Sequence, residues 1–293
     1  MFDKVDVEII RAGLSIDYRQ FRKIYRKLII IAICSGFCKS LSHILVFQSL
    51  SVQCLTANLS KVINILRKYF VIVMMLHVDI RFLEINNGMK RLISKVDSGT
   101  KLALIFTEEH SQITDRLHTY CYIHRTLSQA ACKLNDIFSM ELLFSLALSL
   151  VSVLHFSYFL YFVSTKENGF SNNTDIYSIV FCVVSLVDEM IVVFIVISSY
   201  TNVCDTANEI TSLLHELRNK ISNSEFDEQV QIICIQLLHQ RLKFSARGFF
   251  QIDYSLIYSM ASHLVNYFII LVQYAQSVQN YLKQQQRQNN REF

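Results

Sequence analysis

The stretch FSARGFFQIDYSLIYSMASHLVNYFIILVQYAQ, Phe244 to Gln276, decides how the rest of the chain is read. From Leu256 onward its one strongly polar interruption before Asn266 is the pair Ser262-His263, and Phe268 to Val272 then run unbroken to Gln273. About 20 apolar residues, rising about 1.5 Å each, cross a hydrocarbon core of about 30 Å. The stretch is long enough, so residues 248–276 are expected to form the last membrane span. The Gln-rich tail, residues 277–293, is expected to be disordered.

The remainder has the same character. Of 293 residues, 52% are hydrophobic and 18% charged, against about a quarter charged in average soluble domains; mean hydropathy is +0.31. Apolar blocks recur near residues 28–50, 69–80, 138–164, 178–200 and 255–275. They are too long and too separated for one soluble core and predict an all-α polytopic membrane protein with five spans. The chain has no Pro and six Gly, hence few of the kinks usual in membrane helices. That, and the lack of Asp-Arg-Tyr or Asn-Pro-x-x-Tyr, argues against a G-protein-coupled receptor.

Other classes find no support. The eight cysteines are scattered, and the i, i+4 spacing of Cys34 and Cys38 in an apolar helix suits packing better than a metal. No disulfide framework, His-Glu-x-x-His, Gly-x-Ser-x-Gly or P-loop occurs, and the nine histidines are dispersed. No enzyme activity, cofactor or metal is expected. Net charge is +4, but its basic residues are spread between apolar blocks without an aromatic-basic array, so nucleic acid is not an expected partner.

Taken in order, residues 1–27 form a polar segment ending in the basic cluster Arg19, Arg22, Lys23, Arg26 and Lys27. The charge run comes too late for a signal peptide. Because cytoplasmic flanks are enriched in Lys and Arg, it places the N-terminus inside. Residues 28–83 are expected to hold two spans, Leu28–Leu50 and Val62–Leu83, the second interrupted by Arg67 and Lys68. Between them lies the sequon Asn58-Leu59-Ser60, usable only outside. Residues 84–137 are basic and helical in pattern, broken near Gly99, and from Ile113 they run without a turn signal into the third span. Residues 138–200 hold two spans joined by an outer loop, 164–177, with a second sequon at Asn172. Residues 201–247 return to cytoplasmic helical periodicity, broken at Asn223-Ser224.

The order Asn266-Tyr267, five apolar residues, Gln273-Tyr274, preceded by Gly248, Phe250, Asp253 and Leu256, resembles the closing signature of insect gustatory receptors. That family usually has Thr where Asn266 stands and Phe where Tyr274 stands. Arg81 to Asn86 resembles the inner end of its fourth helix, and His118 to Ser139 the helix entering its fifth. The resemblance implies a plasma-membrane, tetrameric, ligand-gated cation channel opened by a small-molecule tastant. The five spans would match helices three to seven of the gustatory and odorant receptor fold, the first two being absent, with cytoplasmic helices over 84–137 and 201–247 as the anchor where subunits meet. Membrane lipid and other gustatory receptors, as homo- or hetero-tetramer, are the implied partners. The competing readings are a truncated, non-conducting subunit or scaffold, and a transporter, though the latter would show inverted repeats and broken helices.

Under the resemblance, Gln273 and Tyr274 with Ile270 and Leu271 form an outer gate, a reading favoured over one in which Gln273 simply reaches headgroup level. Tyr267 is expected to hold the helix against a neighbour; Asn266, Phe250 and Asp253 complete the signature. Asp188-Glu189 fall near the midpoint of the fourth span. One acid faces a ligand cavity or pairs with Lys39, or the span is shifted and both stand in an inner aqueous vestibule. His155, Tyr158, Phe159 and Phe162 recur at i, i+3, i+4 and i+7 and make one helical face. Such a face suits an organic ligand or the lipid interface.

Overall fold

A chain without proline can run helices far beyond the width of a membrane, because nothing removes a backbone donor from their interiors. The computed structural model describes residues 2–15, 18–47, 52–98, 107–165, 173–221 and 224–289. Their elements are α1 (Phe2–Arg11), α2 (Tyr18–Phe47), α3 (Val52–Ser98), α4 (Thr107–Ser164), α5 (Asn173–Lys220), α6 (Ser224–His239), the strands β1 (Ser245–Ala246) and β2 (Phe250–Gln251), and α7 (Tyr254–Asn289). Helices α3, α4 and α5 have 47, 58 and 48 residues. Each is about 70 Å or longer, more than twice a hydrocarbon core. The unbroken run into the third span is thus a single helix, α4, while the break expected near Gly99 lies outside the described residues.

The chain divides into two compact units. The first comprises residues 1–29, 69–142 and 196–253. Its core is a set of stripes at three- and four-residue spacing: Ile72, Met75, Phe82, Ile85 and Met89 from α3, Leu117, Ile123 and Leu127 from α4, Ile197, Val203, Leu214 and Leu217 from α5. Burying each such side chain contributes about 1.5–3 kcal/mol relative to leaving it in water.

Helix α1, which the polar reading of residues 1–27 does not anticipate, joins this core through Val5 and Ile9. The Arg81 guanidinium donates to both carboxylate oxygens of Asp6 at 2.7 Å. Gly13, at φ 73°, ends the helix. Leu14 N donates to Ile9 O and Gly13 N to Ile10 O, the paired bonds of a Schellman cap.

Before the last helix stands a small hairpin, also not anticipated. Ser245 pairs with Gln251 and Ala246 with Phe250. Arg247 (φ 53°) and Gly248 (φ 79°) both take the left-handed conformation that suits tight hairpins. Asparagines anchor its approach: Asn135 donates to Ser245 O at 3.1 Å, and Asn208 exchanges two hydrogen bonds of 3.2 Å with Leu242.

The second unit comprises residues 30–68, 143–195 and 254–293. It leaves large apolar side chains such as Phe144, Leu148, Val187 and Phe194 exposed, as a lipid-facing surface requires. Among the described residues three helices are long and apolar enough to cross a membrane: 112–164, 176–220 and 254–285. Among the described residues the count of five spans is therefore corrected to three. The segment Val62–Leu83 carries Arg67, Lys68, Asp79 and Arg81, too many charges for its length. In Leu28–Leu50 the side chains from residue 38 onward, Lys39 among them, lie outside the described residues. Residues 52–61, read as an outer connector, belong to α3. The tail is helical to Asn289, consistent with its Gln, Lys, Leu and Arg content.

Candidate functional site

Helix α7 begins at Tyr254, directly after Asp253, so a residue type favoured at helix N-caps stands at its start. At about 100° per residue, Ser259, Ser262, His263, Asn266, Gln273 and Ser277 fall on one face, and Ile270 is the large apolar side chain among them. All seven are exposed. The opposite face, with Ile257, Leu264, Phe268 and Leu271, is half-buried within its own unit. One contact there comes from α4, where Tyr161 meets the Phe268 ring edge-on at 6.1 Å and its hydroxyl accepts from Gln276 Nε2 at 3.3 Å. Only 6% of the most apolar window of α7 is buried in the chain.

The structure therefore separates the expected gate residues. Ile270 and Gln273 share the polar face with Tyr274 at its edge, exposed, whereas Leu271 turns to the packed side. Asn266 lies on the exposed stripe, and Tyr267 is 52% exposed. Phe250 is half-buried in β2, where it pairs with Ala246.

The acids of α5 find partners of their own. Lys68 Nζ forms an ion pair with Glu189 Oε1 and donates to Ser149 Oγ at 2.8 Å. Ser149 Oγ donates to the same Glu189 oxygen at 2.6 Å. Asp188 Oδ1 accepts from Ser35 Oγ at 2.8 Å. Sequence reading flagged Lys68 as an interruption and Glu189 as an intramembrane acid. No pattern in the sequence paired them, because 121 positions separate the two.

The aromatic face on α4 is more open than a ligand pocket would require. His155 and Phe162 are exposed and Tyr158 and Phe159 half-buried. Tyr158 stacks obliquely on Tyr161 at 6.5 Å, and His155 meets Phe156 at 5.6 Å. Asp188 is engaged by Ser35 on α2. Asn172 lies outside the described residues, as does the side chain of Asn58, whose backbone is in α3. Among the described residues no group of His, Cys, Asp and Glu is placed to hold a metal ion.

A family model for the 7tm chemosensory receptors matches residues 1–278. Gustatory receptor 28b of Drosophila melanogaster is 23% identical over 206 residues, covering 69% of this chain and 42% of that protein. Gustatory receptor 2a of the same organism is 47% identical over 49 residues, 17% of this chain and 11% of that protein. The chain thus spans less than half the length of either relative. The insect olfactory receptor OR5 from Machilis hrabei, solved in complex with eugenol, superposes with a TM-score of 0.61 at 13% identity, over 93% of this chain and 68% of that one. A second structure of OR5 gives a TM-score of 0.54.

Proposed function

The chain belongs to the 7tm chemosensory receptor family, a family of membrane-embedded, multi-pass receptors rather than enzymes, and from that premise we propose that it is a gustatory receptor subunit whose last helix lines a cation pathway opened by a small organic tastant. The observation that carries this reading is the division of α7 into a half-buried apolar face and an exposed polar stripe. In hydrocarbon an unsatisfied amide costs several kcal/mol, so Asn266 and Gln273 require water or a second copy of the chain. A ring of like helices around an aqueous path satisfies both.

In this reading four copies, or this chain with related receptors, surround the path. Ile270 and Gln273 face it, with Tyr274 beside them, and Ile270 supplies the apolar constriction that empties of water when closed. Leu271 and Phe268 hold the helix to its own subunit. The tastant favours the open arrangement only by its differential affinity for it, and the α4 face of His155, Tyr158, Phe159 and Phe162, with Asp188 of α5, is the region assigned to it. The N-terminus is cytoplasmic, and residues 84–137 and 201–247 form the cytoplasmic anchor. Asn58 and Asn172 are the candidate glycosylation sites.

The test is whole-cell current from cells expressing this chain, challenged with sugars, bitter compounds and eugenol, beside Gln273→Ala. A ligand-evoked cation current whose open-state properties change in Gln273→Ala supports the reading. No current from a surface-expressed oligomer, with any partner receptor, rejects it.

A further inference from the structure

Charges within apolar helices persist where each finds its counterpart inside the same protein. Lys68 is such a charge: with Arg67 it interrupts the segment Val62–Leu83 and helps keep α3 out of the helices that length and composition identify as membrane-crossing. Yet its side chain is only 14% exposed, and that of Glu189 only 12%.

The pair sits in a small hydrogen-bonded cluster. Glu189 Oε1 accepts from both Lys68 Nζ on α3 and Ser149 Oγ on α4, and Ser149 accepts from Lys68 in turn. Three helices thereby meet at one carboxylate oxygen. The adjacent acid, Asp188, is engaged by Ser35 of α2. Around the triad, α4 and α5 are apolar enough to cross a membrane.

We infer that Glu189 is the intramembrane counter-ion of Lys68, the residue that lets this part of α3 lie in the bilayer although its own composition does not. Ser149 makes the match directional, since its one hydroxyl takes a bond from the ammonium and returns one to the carboxylate. Membership of α3 among the membrane helices is then a property of three helices together.

The prediction separates a buried ion pair from a solvated one. A pair in water contributes little, so removing either partner changes little; a desolvated pair leaves an uncompensated charge when one partner goes. The experiment measures the amount of full-length chain at the cell surface for Lys68→Met, Glu189→Leu, Glu189→Gln and the double variant Lys68→Met/Glu189→Leu. Each single variant is expected to fall about tenfold or more, Glu189→Gln included, because an amide keeps the hydrogen bonds but not the charge. The double variant is expected to recover to within about threefold of the parent, since an apolar pair of similar volume replaces the ions. Single variants as abundant as the parent, or a double variant no better than the worse single, overturn the inference. Because abundance and not current is read, the result stands apart from the channel proposal.

Discussion

At Gly88 an added Cβ would lie 2.7 Å from Leu14 Cδ2 and 3.3 Å from Tyr120 Cζ. Alanine favours a helix interior by up to about 1 kcal/mol, while overpacking a core costs about 1–3 kcal/mol. Gly88→Ala is therefore expected to destabilise by about 1 kcal/mol, whereas Gly36→Ala, which meets nothing within 4 Å, is expected to cause no loss. Thermal unfolding of the two variants in detergent separates the cases. His124 carries a pH dependence. It is 5% exposed, its Nε2 donates to Ala207 O at 2.8 Å, and its ring lies 5.1 Å from that of Phe82. Its Nδ1 is buried without a hydrogen-bond partner among the described residues, so an added proton there finds no acceptor. Burial lowers its pKa below 6.5, and the bond to the Ala207 carbonyl opposes that. The unfolded chain then binds the proton at a higher pH than the folded one does. Stability is intact above about pH 6.5 and falls as pH drops below it. His124→Phe is expected to flatten that dependence; an unchanged profile would assign it to another group. Burial likewise pushes the Cys121 and Cys204 thiols up to about 12, so both are expected to resist maleimide at neutral pH in the folded protein.

Helix α7 has two faces that a chemical probe can tell apart. Cysteines placed singly at Asn266, Gln273 and Ser277 are expected to react with a water-soluble thiol reagent much faster than cysteines at Leu264 or Phe268. The first three stand on the exposed polar stripe and the last two on the half-buried face. Equal rates around the helix would mean that the stripe does not border water. In the hairpin ahead of α7, Arg247 holds a left-handed conformation that costs an L-residue about 1–2 kcal/mol. Arg247→Gly is expected to raise the unfolding temperature slightly and Gly248→Val to lower it. The capped helix α1 offers a further check. Arg81 is 5% exposed and bonded through both Asp6 oxygens, while another of its nitrogens donates to His77 O, so Asp6→Ala is expected to destabilise by about 2 kcal/mol, the scale for losing hydrogen bonds to a charged group.

On the scale of the whole molecule, the exposed polar stripe of α7 is a demand the described residues leave unmet, and assembly is the proposed answer. Light scattering of the detergent-purified protein is expected to report four copies of the 34.1 kDa chain; a monomer would remove the basis for a shared pathway. Much of this was legible beforehand. Apolar length alone identifies α4, α5 and α7 as long and apolar enough to cross a membrane, the absence of proline lets polar and apolar segments fuse into single helices, and the spacing from Tyr267 to Gln273 carries the family resemblance. These are local properties, set by propensity and period along one helix. Other features were out of reach. That Glu189 rather than a nearer acid answers Lys68, that Asp6 seats α1 on Arg81, and that Leu271 turns away from Gln273's surroundings toward its own subunit all depend on which distant surfaces meet. A sequence states that a buried charge needs a partner; only the packing of helices 75 to 121 positions apart decides which one it has.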